Sequence, residues 1–167
     1  TPGHDYALYF NNDQSFVDAI PDFTAMDDYL LRWRGYIWPA EDGEYGFRLS
    51  SDDGSILYID GMEVVNVDGL HGRRTVSSTT WLSTGSHSIV IVFFERRGRS
   101  LMEATWKPPG QVTWTALSPD VLSAVEMCED VVDLASNQPT YVGTGHGLGL
   151  PMNATMGIIS HPLTKNL

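Results

Sequence analysis

The sequence predicts an all-β fold of short antiparallel strands, arranged as a sandwich or a barrel, with a short C-terminal helix and an irregular extended tail. Apolar and polar residues alternate with a period of two through the first two thirds of the 167 residues, as on half-buried strands. These strand patterns follow one another closely and are separated by Gly, Asp and Pro turns. No helical stripe of comparable length precedes residue 117.

The first two strand patterns are residues 31–37 and 45–49. In the first, apolar side chains share one face while Arg32 and Arg34 point to the other. The second repeats this alternation. Because the intervening residues 39–43 have the composition of a turn, we predict that the two strands form a hairpin.

A second hairpin is predicted at Asp60-Gly61, which separates the strand patterns 56–59 and 62–65. This dipeptide readily adopts the positive φ angles of a tight turn. Residues 89–94 are apolar on both faces and rich in β-branched side chains, so they predict a central strand covered on both sides. One more strand is predicted from the alternating residues Met102, Ala104 and Trp106.

The C-terminal part differs in composition. Ser118 as N-cap and Pro119 in the first turn predict a short helix that ends near residue 135. Beyond it, Gly, Pro, Thr and Asn prevail with little periodicity, which is typical of an arm or linker. We therefore predict a sandwich over residues 1–122, and a helix and extended arm over residues 123–167. The start at Thr1 indicates a piece of a larger protein.

The composition excludes several classes of function. Twenty-one acidic residues against ten basic ones give a net charge of −11, which opposes attraction to nucleic acid and anionic lipid. The longest apolar run has six residues, far fewer than the ~20 that cross a bilayer, so we expect no membrane insertion. Cys128 is the single cysteine, and no catalytic triad or transition-metal cluster stands out, so we expect no enzymatic activity.

One motif carries specific chemistry. Asp52 and Asp53, followed by Gly54, lie where one strand pattern ends and the next begins, so both carboxylates project from one loop. Such a pair attracts a cation or needs hydrogen bonds to tolerate its own repulsion.

The order of these residues resembles the PA-fourteen domain family, a β-sandwich module named after the protective antigen component of anthrax toxin. The resemblance covers about residues 6–122 and implies an antiparallel β-sandwich. It rests on an ordered series of motifs: Gly35-Tyr36-Ile37, Ser51-Asp52-Asp53-Gly54, Asp60-Gly61, Gly69-x-His71, Leu82-x-x-Gly85-x-His87-x-Ile89, Phe93-Phe94-Glu95 and Pro108-Pro109.

In yeast flocculins and in fungal and bacterial adhesins, modules of this family bind sugar through calcium. The family's adjacent Asp pair, joined by a cis peptide, ligates the ion, and a second loop supplies further oxygens. The resemblance therefore implies Asp52 and Asp53 as calcium ligands, joined by Glu95 from the second loop. Calcium takes six to eight oxygen ligands, so vicinal hydroxyls of a sugar would complete the shell.

The second loop, residues 95–100, departs from the sugar-binding pattern, because Arg96, Arg97 and Arg99 stand where Asn or Asp is expected. An arginine ~8 Å from a divalent ion would disfavour it by roughly 4 kcal/mol at an effective dielectric of 20. An arginine could instead replace the metal by pairing with an aspartate. Two interpretations stay open: a calcium site, or a purely structural pair. Ligand contacts are expected from Asp52, Asp53, Arg96, Arg97, Arg99, Ser100 and Trp38.

We expect a module of a secreted or cell-surface protein that mediates carbohydrate-directed adhesion, with calcium as a candidate cofactor. The alternative is a calcium-free module that binds another extracellular protein, its tail docking on a neighbour in a larger assembly. Most of the five tryptophans lie in strand patterns and are expected in the core, and only Trp38, beside a turn, is expected to stack on sugar. His71 and His87 are expected to anchor loops. Asn153 begins a glycosylation sequon.

Overall fold

The computed structural model of the chain describes residues 8–20, 22–117, 121–124, 131–133, 138–140 and 153–158. Two antiparallel sheets enclose one apolar core to which both contribute, which is the arrangement of a β-sandwich. The predicted fold class is thereby confirmed. Among the described residues, no helix has the length and apolar character needed to span a membrane.

The strands form two main sheets and one isolated pair. In chain order the elements are β1 (Tyr9–Phe10), α1 (Asp13–Ala19), β2 (Tyr29–Ile37), β3 (Gly43–Asp52), β4 (Ser55–Ile59), β5 (Met62–Asn66), β6 (Arg74–Leu82), β7 (His87–Glu95), β8 (Leu101–Lys107), β9 (Thr115–Ala116), β10 (Leu122–Ala124), β11 (Val131–Asp133), β12 (Gln138–Thr140) and β13 (Asn153–Ile158). The first sheet has the strand order β1-β8-β3-β6, and β9 also pairs with β8. The second sheet has the order β10-β2-β7-β4-β5, and β13 also pairs with β2. Strand β11 pairs with β12.

The core follows from the period-two alternation. Every second residue of β2, β3 and β7 is buried, and these side chains meet between the sheets: Leu31, Trp33, Tyr45, Phe47, Leu49, Ile89, Ile91 and Phe93. Helix α1 closes one end of this core. Its Phe16 stacks on Phe10 at 4.3 Å and on Phe93 at 5.3 Å between ring centroids. The side chain of Asn12 caps the helix by accepting the N–H of Ser15.

The hairpin predicted between the first two strand patterns is wrong. Strand β2 pairs with β7 in the second sheet, whereas β3 pairs with β6 and β8 in the first. Alternation specifies which face of a strand is buried but not which strand lies beside it, and the 39–43 segment crosses between the sheets. The Asp60-Gly61 hairpin is confirmed, since it joins β4 to β5 with φ angles of 49° and 77°.

The short C-terminal helix is also wrong where the structure describes it. Residues Leu122–Ala124 form β10, antiparallel to Gly35–Ile37 at the edge of β2. Leu122 is buried there, so strand pairing at an open sheet edge satisfies both its backbone and its side chain. The short helix of the described residues is α1. Ser118, Pro119, Cys128 and the glycine-rich segment 143–149 lie outside them.

The described parts of the predicted arm contain strands. Strand β13 runs antiparallel to the Tyr29–Arg34 part of β2, on the same edge as β10. Asn153, the first residue of the sequon, lies opposite Arg34 in this register. Most of residues 123–167 lie outside the described residues, and the domain boundary at residue 122 stays a prediction.

Candidate functional site at the Asp52–Asp53 loop

Strand registers bring the predicted acidic residues together at one end of the sandwich. Asp52 ends β3 and lies opposite Leu101 of β8. The next strand, β4, begins at Ser55 opposite Phe93 of β7, and β7 ends at Glu95. The turn containing Asp53 therefore meets the end of β7. The peptide bond between Asp52 and Asp53 is cis, as the resemblance implies.

Asp53 ties three segments of the chain together. Its side chain is 7% exposed. One carboxylate oxygen, Oδ1, accepts the backbone N–H of His71 at 3.2 Å, and Oδ2 accepts that of Arg96 at 2.9 Å. Its own N–H donates to Oε2 of Glu95 at 3.1 Å. Because hydrogen bonds to charged groups contribute about 1.5–3 kcal/mol each, this residue is a principal link between the two sheets at this end.

Glu95 is the most deeply buried carboxylate of the site, at 1% exposure. Burial, followed by repulsion from the Asp53 and Asp52 carboxylates, raises the pKa of Glu95 to about 8. Its Oε1 is buried without a hydrogen-bond partner among the described residues. A buried acceptor of this kind favours either a proton or a cation nearby.

Asp52 is the more solvent-accessible member of the pair. Burial and the Asp53 carboxylate raise its pKa, and three neighbours oppose this rise: the His71 side chain, the backbone amide of Arg73 and the guanidinium of Arg99. The carboxylates of the site thus outnumber the nearby cations, and the Arg99 guanidinium compensates only part of their negative charge.

The arginine-bearing loop 96–100 is held by a segment that the sequence analysis did not single out. The N–H of Gly98 donates to Oδ1 of Asp27 at 3.3 Å, and Nε of Arg97 lies 3.9 Å from Oδ2 of Asp28. Arg96, Arg97 and Arg99 are all exposed, and within the described residues none of these three forms an ion pair with Asp52 or Asp53. Ser100 is buried beneath the loop. The guanidinium groups therefore face solvent around the acidic pair.

The donor set fits calcium in charge and in atom type, because Asp52, Asp53 and Glu95 offer carboxylate oxygens. It is short in number, since both oxygens of Asp53 already accept backbone N–H groups. Among the described residues, no three Asp, Glu, His or Cys side chains converge as a ready-made metal site. A calcium ion here would need the remaining oxygens of its shell from backbone carbonyls, water or a ligand.

Trp38 does not lie at this end. It follows Ile37, which pairs with His87 at the start of β7, while Glu95 at the far end of β7 pairs with Tyr29. At about 3.3 Å per residue, the nine residues from Tyr29 to Trp38 place Trp38 roughly 30 Å along the strand direction from Glu95. The predicted ligand residues thus fall into two groups, with Trp38 apart from the others.

Both histidines anchor loops, as expected. Nε2 of His71 lies 2.6 Å from the carbonyl oxygen of Val67. The imidazole of His87 bonds the Asp60 carboxylate at 2.6 Å, and this bond raises the pKa of His87.

The tryptophans, most of which were expected in the core, are only in part buried there. Trp33 and Trp106 are buried, but Trp81 is 63% exposed and Trp114 is half-buried. The alternation in β6 indicates that Trp81 is exposed. Trp81 lies on the same face of the strand as Thr79 and on the opposite face from the buried Leu82.

Comparisons with known proteins agree with this architecture. The family model described as PA14 domain matches residues 10–116. The PA14 domain of the MpAFP antifreeze protein is 22% identical, with 70% of this chain and 69% of that chain covered and a TM-score of 0.59. The PA14 sugar-binding domain from an RTX adhesin is 21% identical, with 67% and 71% covered and a TM-score of 0.57.

An anti-sigma factor domain-containing protein is 20% identical, with a TM-score of 0.62; the match covers 75% of this chain and 43% of that chain. At these identities, the solved structures establish the fold alone. No match was found among curated protein sequences.

Proposed function

Because the chain belongs to the PA14 domain family, we propose that it is a non-enzymatic binding module of a secreted or cell-surface protein and that its ligand is a carbohydrate. The observation that carries this proposal is that Asp52, Asp53 and Glu95 lie at one end of the sandwich, next to an exposed loop that carries three arginines. The likeness to an RTX adhesin domain described as sugar-binding supports the choice of ligand.

Each group of side chains has a distinct role in this proposal. Asp52 accepts hydrogen bonds from sugar hydroxyls, because its carboxylate is the more accessible of the pair. Arg96, Arg97 and Arg99 donate to the ligand from the exposed loop. Asp53, which is buried and bonded to two backbone amides, holds the loops in position.

We propose calcium as the assisting ion, held by Asp52 and Asp53 with Glu95 behind them. Bound there, it would supply a positive charge that vicinal hydroxyls of a sugar can share. Burial, followed by repulsion from neighbouring carboxylates, raises the pKa values of Glu95 and Asp52, and a bound cation would relieve this repulsion.

Melting during a calcium titration, combined with a glycan array, tests this function. An ion that binds only the native state stabilises it by about 2.7 kcal/mol at 100 times its Kd, so the melting temperature should rise. Asp52→Asn should remove most of this rise and the calcium-dependent glycan signal. Glu63→Gln, an exposed carboxylate on β5, is the matched control. An empty array together with no calcium shift would contradict the proposal.

A second candidate function is supported by the hydrogen bonds of Asp53. Both of its oxygens are satisfied by backbone amides, so the loop is complete without an ion. The exposed Arg96, Arg97 and Arg99 would then contact an acidic surface of another extracellular protein, with the C-terminal tail docking on a neighbour in the assembly. Gln substitutions at these arginines should weaken that complex in a salt-dependent way, without any effect of calcium. Deleting residues 136–167 should release the chain from the assembly. Because this deletion also removes β13, which pairs with β2 of the same chain, the truncated chain must still show cooperative thermal unfolding; assembly that survives the deletion would exclude the tail's role.

A further inference from the structure

The outward face of the first sheet, which we call the β6 face, carries an exposed tryptophan among hydroxyl groups. Trp81 is 63% exposed and lies opposite Glu44 of β3. The neighbouring outward positions of β6 are hydroxyl residues: Thr75, Ser77 and Thr79. All three are exposed. This face therefore combines an aromatic surface with hydrogen-bonding groups.

A second indole is held against the same face. The ring of Trp114 lies over Gly46, where an added Cβ would come within 3.0 Å of it. The guanidinium carbon of Arg48 lies 4.9 Å from the ring centroid, and Nζ of Lys107 lies 5.1 Å from it. Two cation–π contacts and the absence of a side chain at Gly46 thus hold this ring in place.

The two indoles belong to neighbouring positions of the same face. Glu44 and Gly46 lie two residues apart on β3, about 6.6 Å, and neighbouring strands lie about 4.8 Å apart. The Cα atom of Trp81, opposite Glu44, is therefore roughly 8 Å from the Cα atom of Gly46, over which the Trp114 ring lies. Thr79 is the residue opposite Gly46.

The groups of the β6 face are held in place by contacts with one another. Nε of Arg48 donates to Oγ1 of Thr105 at 3.1 Å. The hydroxyls of Ser50 and Thr75 lie 2.6 Å apart. These two bonds order the polar side chains beside Trp114 and at the Thr75 end of the face, so these groups lose less conformational entropy when a ligand binds.

The charges of the β6 face indicate a neutral ligand. Arg48, Lys107 and Arg73 stand against Glu44 and Glu103, and Glu103 pairs with Arg73 at 3.4 Å; three cationic against two anionic side chains leave a small positive excess. A polyanion or an acidic peptide would need a larger excess of positive charge than this. The exposed positions of β6 between Thr75 and Trp81 carry hydroxyls and an indole without aliphatic side chains, unlike the apolar centre of a stable protein interface.

We infer that the β6 face is a second carbohydrate-binding surface, which takes a neutral oligosaccharide without calcium. The C–H face of a pyranose packs on Trp81, and the hydroxyls of Ser77 and Thr79 together with the Glu44 carboxylate bond the sugar hydroxyls. This surface is separate from the proposed acidic site, since Glu44 and Asp52 lie near opposite ends of β3, roughly 26 Å apart.

Titration calorimetry with the full chain tests this inference, using a panel of neutral oligosaccharides (glucans, mannans and galactans) in the presence of a calcium chelator. Trp81→Ala should weaken binding about tenfold or more, because an indole face buries a large apolar area. Tyr36→Ala is the matched control, since Tyr36 is an exposed aromatic on β2 of the second sheet, and it should bind as the native chain does. Unchanged melting temperatures would show that both variants fold.

Several results would overturn the inference: no neutral glycan bound by the native chain in chelator, equal binding by Trp81→Ala, or equal loss in Tyr36→Ala. A glycan-independent dimer that Trp81→Ala dissociates would reassign the face to contact between copies of the chain. If glycan binding requires calcium, is abolished by Asp52→Asn and is unchanged in Trp81→Ala, it belongs to the proposed acidic site alone. The two proposals can therefore fail separately.

Discussion

Replacing Asp53 by asparagine tests whether its carboxylate is the link that holds the loops at the acidic end. The native side chain accepts the N–H groups of His71 and Arg96 at 3.2 and 2.9 Å. Asparagine has one acceptor oxygen, so one backbone N–H would face the amide NH₂ group instead. The loss of one charge-assisted bond and the burial of an unpaired donor together cost about 2–4 kcal/mol.

The measurement is urea-induced unfolding near pH 5.5, without calcium. At that pH Glu95 is protonated and neutral, because its pKa is raised to about 8. Removing the Asp53 charge then relieves no repulsion with Glu95, and the cost of the lost hydrogen bond is not masked. Hydrogen exchange should become faster at the amides of His71 and Arg96 and stay unchanged in the core strands. Asp52→Asn is the control, and we expect a smaller effect because Asp52 is less buried.

The reasoning would be refuted if Asp53→Asn unfolded within about 0.5 kcal/mol of the native protein, the range of ordinary surface substitutions. Unchanged exchange at both amides would refute it equally. Either result would mean that the Asp53 carboxylate does not carry the loop contacts.

Three further predictions follow from the same structure. The free energy of unfolding should fall as pH rises from about 4.5 to about 8 in chelator, because folded Glu95 keeps its proton over that range; Glu95→Gln should flatten this profile in urea titrations. The hydrogen bond to Asp60 raises the pKa of His87, so the stability that protonated His87 contributes should be present below pH 6.5 and should be lost as pH rises through the raised pKa. Asp60→Asn should remove this contribution from the pH profile of unfolding. The change should be small, because the Asp60 side chain is half-exposed. Gly54→Ala should lower stability by about 1–3 kcal/mol in thermal unfolding, because its Cβ would meet a backbone nitrogen at 2.9 Å, while Gly72→Ala, which has open space, should be near neutral.

Much of the fold was predictable because the alternation of apolar and polar residues within a strand shows which of its side chains are buried. The alternation in residues 31–37 and 45–49 identified inward side chains that are buried in the structure. The Asp60-Gly61 turn was predictable for a similar reason, since its φ angles depend on the two residues themselves. The pairing of β2 with β7 was not predictable, because the residues within each strand do not specify which other strand lies beside it.

The candidate site was predictable in part. The adjacent aspartates were found from their position between strand patterns, and the resemblance to a family indicated Glu95 and the arginine loop. Trp81 was missed because an apolar residue in a strand is ordinarily assigned to the core, although its phase in β6 placed it outward. The segment at Asp27 and Asp28 had no periodicity to identify it, and its role depends on the loop that it holds.

The sequence by itself determined the all-β class, the buried faces of the main strands and the presence of a paired-carboxylate loop, because each depends on residues close together in the chain. The tertiary structure alone decided the partners of that loop. Asp53 bonds His71, Glu95 and Arg96, which lie 18, 42 and 43 residues away along the sequence. Contacts over such separations arise from how the sheets pack, and so does the burial that raises the pKa of Glu95.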